Sequence, residues 1–268
     1  DPSDPNVAYA GPERGGLWQT VAGGQNWFAI GDKLPTLTVG AIAVDPRHPQ
    51  TVYVATGAGS RHPGRDLGIF KTIDGGGHWI HFADQFIDPQ DPRWYHAIRG
   101  TTRLVVRYPN PATDEVVVYV ACNTGVVRYK SSDPQSLVSD RSEWVQIKRG
   151  WIRDLVVHPS NASIVYASVC RWTTHPNGAL ILVGDGIYRT SAGATGGEAD
   201  WQNRTSQLYI DGKATAPTID LFPASPNVIY VATSFPRPQT ALAIYQSDDE
   251  GQGWVELASY STNGATSL

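Results

Sequence analysis

Short runs rich in valine, isoleucine and tyrosine recur along the whole chain, separated by glycine, proline, asparagine and aspartate. Val39–Val44, Val116–Ala121 and Ile164–Val169 are clear examples. Runs of β-branched and aromatic residues that are bounded by turn-forming residues predict strands. No segment shows the periodicity of an amphipathic helix. The chain is therefore predicted to be all-β.

The predicted strands are organised into five copies of one unit. In each copy a strand leads through Ser or Thr into a turn and then to a tryptophan, most clearly at Gly68–Trp79. The other copies are Gly16–Trp27, Val127–Trp144, Ile187–Trp201 and Ala243–Trp254. A unit that returns at similar spacing indicates a repeat architecture.

The turn residues of these copies are interpreted as structural. Thr72 and Asp74 carry short polar side chains that can hydrogen-bond the turn backbone, and Trp79 then covers the turn. Ala22 and Ala192 replace the aspartate in two copies, so no shared metal or catalytic chemistry runs through this position. The predicted structural turn residues are Thr72, Asp74, Trp79, Asp133, Trp144, Ser247, Asp249 and Trp254.

Each copy carries a second marker, a run around a tyrosine such as Val52–Ala55, and in most copies a proline-bearing link such as Asp45–Pro49 precedes it. Together the two markers predict four antiparallel strands for each copy, which we letter A (inner) to D (outer). The predicted units span residues 1–34, 35–98, 99–150, 151–215 and 216–260 of a single domain, 1–268.

The S/T-x-D-x-G-x-x-W turn and the D-P-x-x-P-x-x-V-Y-V-A-T-G link, written here in Asp45–Gly57, resemble the Asp-box (BNR-type) β-propeller family. Within it, the chain is most similar to VPS10/sortilin-like bacterial repeat proteins and photosystem-assembly propellers. The resemblance covers nearly the whole chain and implies an all-β propeller of four-stranded antiparallel blades. Propellers host unrelated activities, so the resemblance carries little about function.

The first copy has no candidate for its inner strand. The tail, residues 261–268, ends in Gly264–Leu268, which is similar to the start of the inner strand at Ile152–Leu155. We therefore expect the tail to act as the closing strand of a closed five-bladed ring. The alternative is that the five copies are part of a larger propeller.

The composition and net charge of the chain argue against some classes of function. The net charge is −4 and only 17% of residues are charged, which gives no general electrostatic attraction to nucleic acid. No apolar run approaches the length of a membrane span. The chain opens within a motif and contains no methionine, so we expect a processed or trimmed product with no visible leader. We expect it to be secreted or extracytoplasmic.

Long connections identify a candidate binding surface. With strands in the order A to D, the B–C and D–A connections share one end of the sheets, here called the long-loop face. The long connections on this face are Gly57–Leu67, Ala83–Gly100, Arg171–Asp185, Ser206–Pro217 and Ser234–Ala241. Long loops on a rigid scaffold are common binding sites, and aromatic, arginine and carboxylate side chains suit sugars or peptides. The alternative is a solvated rim without a ligand. The candidate ligand-binding residues are Arg61, His62, Arg65, Asp66, Arg93, Trp94, Tyr95, His96, Arg171, Trp172, His175 and Tyr209.

The favoured function is a binding or assembly module that recognises a protein or glycan on this face, and further domains of a longer chain are left open. One alternative is a glycoside hydrolase, sialidase-like or xyloglucanase-like, or a fragment of one, which needs a suitable carboxylate pair. Only Pro12–Gly16 loosely matches a xyloglucanase segment, with Glu13 at the catalytic position. Another alternative is a purely structural repeat of a larger surface protein. Enzymatic activity is left open, and no catalytic residue is assigned.

No cofactor or metal is expected, because no Cys/His cluster has the spacing of a zinc site. The two cysteines, Cys122 and Cys170, follow equivalent strands in neighbouring copies. Because disulfide geometry is demanding, we expect free buried thiols rather than a bridge.

Overall fold

The computed structural model describes residues 1–12, 15–57, 66–87, 89, 95–174, 180–204, 218–221, 227–234, 241–261 and 266–267. In these residues the chain forms strands β1 to β22 and two short 3-10 turns, Arg141–Glu143 and Glu198–Asp200. The described ranges contain no α-helix, and the prediction of an all-β chain is confirmed.

The strands form five sheets that follow one another along the chain. The first contains β1 (Ala8–Ala10), β2 (Trp18–Thr20) and β3 (Phe28–Ala29). The second contains β4 (Val39–Val44), β5 (Val52–Thr56), β6 (Ile69–Thr72) and β7 (Ile80–Ala83). The third contains β8 (Gln85–Ile87), β9 (Tyr95–Ala97), β10 (Arg103–Arg107), β11 (Val116–Ala121), β12 (Gly125–Ser131) and β13 (Trp144–Arg149). The fourth contains β14 (Trp151–Val157), β15 (Val165–Thr174), β16 (Leu180–Thr190) and β17 (Gln202–Asn203). The fifth contains β18 (Thr218–Leu221), β19 (Ile229–Ser234), β20 (Ala241–Ser247), β21 (Val255–Ser261) and β22 (Thr266–Ser267).

The A to D strands of a repeat lie side by side in chain order and run antiparallel, as in β4 to β7, while β8 and β9 join the third sheet beside β13. The one parallel contact in the described sheets joins β8 to β13, at Ile87 and Val145. This order brings the B–C and D–A connections of a repeat to the same end of its sheet, as the strand pattern predicts.

The chain divides into two compact units, Asp1–Ile147 and Lys148–Leu268. In the first unit an aromatic core fills the space between the second and third sheets. Phe82 contacts the rings of Tyr53, Tyr129 and Trp144 edge-on, with ring centres 5.8, 5.3 and 5.9 Å apart. In the second unit the core between the fourth and fifth sheets contains Tyr166, Ile187, Ile229 and Val231. That all five repeats form one domain stays a prediction.

The turn after β6 is held by its own side chains. The Thr72 hydroxyl donates to an Asp74 oxygen at 2.7 Å and accepts from the Gly76 amide at 3.0 Å. The same Asp74 oxygen accepts from the His78 amide at 2.8 Å. Gly75 and Gly76 have φ of +69° and +103°, which favours glycine at both positions.

The turn after β20 repeats this arrangement in the second unit. The Ser247 hydroxyl donates to Asp249 and accepts from the Gly251 amide, each at 2.8 Å. Asp249 accepts from the Gly253 amide at 2.8 Å, and these hydrogen bonds lower the pKa of Asp249. Two turns far apart in sequence thus share one set of local bonds.

The tryptophans that follow these turns bind the preceding sheet. The indole nitrogen of Trp79 donates to the carbonyl of Ile30, just after β3, at 2.9 Å. In the same way Trp254 donates to the carbonyl of Arg204, just after β17, at 2.7 Å. Each tryptophan therefore links the outer strand of one sheet to the next sheet.

Trp144 makes the same link through a hydroxyl. Its indole nitrogen donates to the Ser139 hydroxyl at 3.1 Å, and that hydroxyl donates to the carbonyl of Phe82 on β7. Trp144 is fully buried, unlike the other two tryptophans.

A cation on strand C makes a second link between neighbouring sheets. The Lys71 ammonium on β6 donates to the carbonyls of Pro134 and Ser136, at 2.8 and 2.6 Å, in the turn of the following repeat. In the second unit Arg189, at the equivalent position of β16, pairs with Glu250 in the following turn at 2.8 Å.

The burial of Lys71 predicts that this residue contributes more to the free energy of unfolding as the pH rises. Burial lowers its pKa from 10.5 to about 8, against the opposing effect of Asp133 and Asp45. An unfolded lysine keeps its ordinary pKa, so above pH 8 the unfolded chain binds more protons than the folded chain. The cost of the buried charge is complete below pH 8 and is relieved as the pH rises. We expect this site to add about 2 kcal/mol to the free energy of unfolding between pH 8 and about 10, compared with a variant that lacks the lysine. The tyrosines of the unfolded chain begin to ionise in the same range and lower the stability of wild type and variant alike.

Urea denaturation across this pH range checks the prediction. The slope of stability against pH should be less positive in Lys71→Met than in wild type, by about 2 kcal/mol over this range, and unchanged in Lys33→Met, because Lys33 is exposed. An equal pH slope in wild type and Lys71→Met would contradict it.

Two connections that the sequence pattern leaves as loops contain strands. The register from Cys170–Gly184 to Thr174–Leu180 continues β15 and β16 as a two-stranded ribbon across Arg171–Asp185. Its returning strand includes Leu180–Val183, a β-prone apolar run. The connection Ala83–Gly100 contains the hairpin of β8 and β9.

The tail differs from its predicted position. Thr266 and Ser267 pair with Tyr260 and Ser259 of β21, at the outer edge of the fifth sheet. They do not form the inner strand expected for the first sheet. A local hairpin of this kind closes a short loop and so costs less chain entropy than a distant pairing.

Cys122 and Cys170 are both free and buried, as expected. No helix in the described ranges has the length and apolarity needed to cross a membrane.

Candidate functional site

A cavity of about 440 Å³ lies on the long-loop face of the first unit, where β6 begins and β7 ends. Its volume is within the range of about 300–1,000 Å³ that is usual for small-ligand sites. The B–C and D–A connections of the second repeat both contribute to it. The lining residues are Pro35, Asp66, Leu67, Phe70, His81, Asp84, Gln85, Ala97, Ile98 and Arg99.

An aromatic pair forms one wall of the cavity. The rings of Phe70 on β6 and His81 on β7 lie 5.1 Å apart at 37°. His81 Nε2 lies 2.8 Å from the carbonyl of Leu67. A carbonyl can only accept, so Nε2 carries the proton and the neutral ring has its free acceptor at Nδ1.

Asp66 is a partly buried carboxylate in the cavity. Burial raises its pKa, while a hydrogen bond from the Gly100 amide and the charge of Arg99 act in the opposite direction. Its Oδ1 is buried without a hydrogen bond and packs on Gly57, where a Cβ would lie only 1.3 Å away. Gly57 has φ +89°, so both its conformation and its lack of a side chain admit the carboxylate.

Asp84 and Arg99 are held at the cavity by their backbone. The carbonyl of Asp84 accepts from the amide of Ile98 at 2.8 Å. The carbonyl of Arg99 accepts from the amide of Asn123, in the turn between β11 and β12, at 3.0 Å. These bonds fix the backbone of both residues beside the apolar wall, so Asp84, Asp66 and Arg99 together give the cavity two carboxylates and one guanidinium.

The close approach of the strand ends depends on Gly68. Its φ is +84°, and a Cβ there would lie 2.1 Å from the carbonyl oxygen of Ala83. Glycine therefore lets the start of β6 lie against the end of β7, which positions Leu67 and Asp84 on the same cavity.

One of the predicted ligand-binding residues, Asp66, lines the cavity. The backbone of Tyr95 and His96 lies on β9, beside the cavity, and that of Arg171 and Trp172 lies on β15 in the second unit. The remaining predicted ligand-binding residues lie outside the described residues: Arg61, His62, Arg65, Arg93, Trp94, His175 and Tyr209.

Several cavity residues were not singled out by the sequence. Asp84, Gln85 and Arg99 lie near the two ends of the Ala83–Gly100 connection, which was predicted to belong to the long-loop face. Their positions in this connection could therefore have identified them as candidate binding residues. Phe70 and His81 lie on strands, where their side chains resemble ordinary sheet residues. Their role depends on which sheet face borders the cavity.

No group of three or more His, Cys, Asp or Glu side chains in the described ranges is arranged to hold a metal ion.

Comparisons with known proteins identify the fold. An ancestral GH74 enzyme matches with a TM-score of 0.56 at 17% identity, over 96% of this chain and 31% of that one. The GH74 xyloglucanase from Xanthomonas campestris matches with a TM-score of 0.51 at 18% identity, over 96% and 44%. The GH74 enzyme from Niastella koreensis matches with a TM-score of 0.54 at 14% identity, over 96% and 49%.

These likenesses, together with the repeated four-stranded sheets, show a β-propeller fold and confirm the predicted fold class. The chain spans between 31% and 49% of the length of these three structures. No family model matches the chain, and no curated protein matches it.

Proposed function

We propose that this protein is a recognition module that binds a protein segment or a glycan in the cavity on the long-loop face. The observation that carries the proposal is one cavity with an apolar and aromatic wall and a few convergent polar groups. Leu67, Phe70 and Ile98 supply apolar surface, while Asp84 and Arg99 supply an acceptor and a donor. Such a combination fixes a ligand by apolar contact and orients it by hydrogen bonds.

The test is an array of oligosaccharides and peptides, followed by calorimetry on each hit. Asp84→Asn and Arg99→Gln should each weaken binding of the hit about tenfold or more, because each removes a charged hydrogen-bonding group. Asp248→Asn is the matched control, since Asp248 is an exposed carboxylate in the second unit.

Thermal unfolding of the same variants separates binding from stability. The melting temperatures of the cavity variants should stay close to that of wild type. A hit that both cavity variants bind as tightly as wild type would overturn the assignment of the cavity. If no oligosaccharide or peptide of the array binds, a purely structural repeat is favoured.

A glycoside hydrolase is the second candidate, because two carboxylates line one cavity. The raised pKa of Asp66 suits a general acid, and Asp84 would be the second carboxylate of the pair. Three of the matched structures are GH74 enzymes, one of them a xyloglucanase. Release of reducing sugar from xyloglucan, lost in both Asp66→Asn and Asp84→Asn, would support hydrolysis. No release from xyloglucan or related glycans would contradict it.

The Asp-box relationship and an extracytoplasmic location belong to the same proposal. The Asp-box relationship is supported by two matching hydrogen bonds, that of Thr72 with Asp74 and that of Ser247 with Asp249. Because the chain spans less than half of the matched structures, we place the module within a longer chain. Fractionation of the source cells tests the location, and recovery in the cytoplasm would overturn it.

A further inference from the structure

The strand beside the cavity has one unpaired edge. β9 is the last strand of the third sheet and pairs on one side only, with β8. No other strand in the described ranges pairs with it. An open strand edge offers amide and carbonyl groups to an extended chain.

The register shows which backbone groups of β9 face this edge. The Ile98 amide donates to the Asp84 carbonyl, which makes these two residues a hydrogen-bonded pair of the antiparallel ladder. Such pairs alternate with non-bonded ones. Ala97, opposite Gln85, and Tyr95, opposite Ile87, are therefore non-bonded positions, whose backbone groups point away from β8.

The parallel contact of β8 supports this alternation. Ile87, at a non-bonded position of the β8–β9 hairpin, pairs with Val145 of β13 on the other side of β8. In the hairpin register the backbone groups of Ile87 point away from β9, which is the side on which β13 lies. By the same geometry the amides and carbonyls of Tyr95 and Ala97 face the open edge.

The open edge and the cavity are continuous. Ala97 belongs both to β9 and to the cavity lining, and Gln85 opposite it also lines the cavity. A chain that extended the sheet at β9 would direct alternate side chains to one face of the sheet. One of these side chains would lie over the cavity.

The charges of the cavity indicate which kind of ligand side chain fits it. The negative charge of Asp66 is offset by the positive charge of Arg99 and by a hydrogen bond from the Gly100 amide. The side chain of Asp84 has no hydrogen-bond partner among the described residues and therefore can accept from a ligand. Beside it Leu67 and Ile98 offer apolar surface to an aliphatic stem. A lysine or arginine side chain combines such a stem with a cationic head.

We propose that the ligand of this site is an extended segment of a partner protein, which adds a strand to β9 and places a basic side chain in the cavity next to Asp84. This inference rests on the proposed function, since it names the ligand of the same cavity. Main-chain hydrogen bonds supply affinity, and the cavity supplies specificity for the basic residue.

The probe is a fluorescent peptide of about seven residues, the length of one strand, with alternating threonine and valine and one central lysine. Fluorescence anisotropy measures its binding to the full chain. Replacing the lysine with norleucine should weaken binding about tenfold or more, and Asp84→Asn should do the same. Asp248→Asn should bind like wild type.

N-methylation of the peptide tests the strand pairing. Methyl groups on one alternating set of amides should abolish binding, while methyl groups on the other set should not. Ala97→Pro removes an amide that faces the open edge, where proline is tolerated, so it should weaken binding while the circular dichroism spectrum stays unchanged.

The outcomes separate this inference from the proposed function. Equal binding of the lysine and norleucine peptides, or equal effects of the two methylated sets, would overturn the peptide inference. An oligosaccharide that binds through Asp84 while no peptide binds would also overturn it and leave the recognition module standing. If neither glycans nor peptides bind, both the peptide inference and the proposed recognition function are overturned.

Discussion

Replacing Trp144 with alanine is expected to lower the free energy of unfolding by about 3–5 kcal/mol. The side chain is fully buried and stacks on Tyr129 with ring centres 4.8 Å apart. It also contacts Phe82 edge-on and binds it through the Ser139 hydroxyl. Alanine would leave a cavity between the second and third sheets and remove the hydrogen bond from the indole to the partly buried Ser139 hydroxyl.

Chemical denaturation followed by circular dichroism measures this loss without relying on tryptophan fluorescence. Trp27→Ala is the matched control, because Trp27 follows the equivalent turn of the first repeat but is 40% exposed. It should cost about 1 kcal/mol or less, as most exposed substitutions do. Equal losses in the two variants would show that burial between the sheets is not what makes Trp144 important.

Breaking the pair between Arg189 and Glu250 is expected to have the second largest effect. The Arg189 side chain is only 10% exposed, and it also donates to the Tyr166 hydroxyl at 3.2 Å. Glu250→Gln would leave a nearly buried guanidinium without its counter-charge. We expect a loss of about 3 kcal/mol, at the low end for a buried pair because Glu250 is one-third exposed.

A double-mutant cycle with Arg189→Met isolates the pair. Once the guanidinium is gone, Glu250→Gln should cost little, because no buried charge remains unpaired. The more exposed pair of Lys130 and Glu115 is the control, and Glu115→Gln should cost about 0–1 kcal/mol. Additive losses at Arg189 and Glu250 would contradict a direct link between the fourth sheet and the turn of the fifth repeat.

Strand positions were largely predictable from the sequence. The run Val116–Ala121 was predicted as a strand and is β11, because β-branched residues between turn-forming residues favour strands wherever they occur. The ribbon of β15 and β16 was missed across Arg171–Asp185, since a long interval between two markers was interpreted as a loop.

The binding face was predictable in outline, and its residues were not. The order of strands A to D places Asp66 and the ends of the Ala83–Gly100 connection on one face, whatever the sheets pack against. That Phe70 and His81 border the same cavity depends on how the second and third sheets pack. The open edge of β9 also depends on a hairpin within a connection that looked like a loop.

The sequence by itself determined the repeat, the all-β class and the candidate turn residues, because these depend on neighbours only a few positions away. Thr72 reaches Asp74 and Gly76 within one turn. Only the tertiary structure decided that Trp79 donates to Ile30, that Lys71 binds the turn of the next repeat, and that Asp66, Asp84 and Arg99 line one cavity. Such contacts join residues far apart in the chain, and they depend on the twist and packing of whole sheets, which a pattern of apolar and polar positions does not encode.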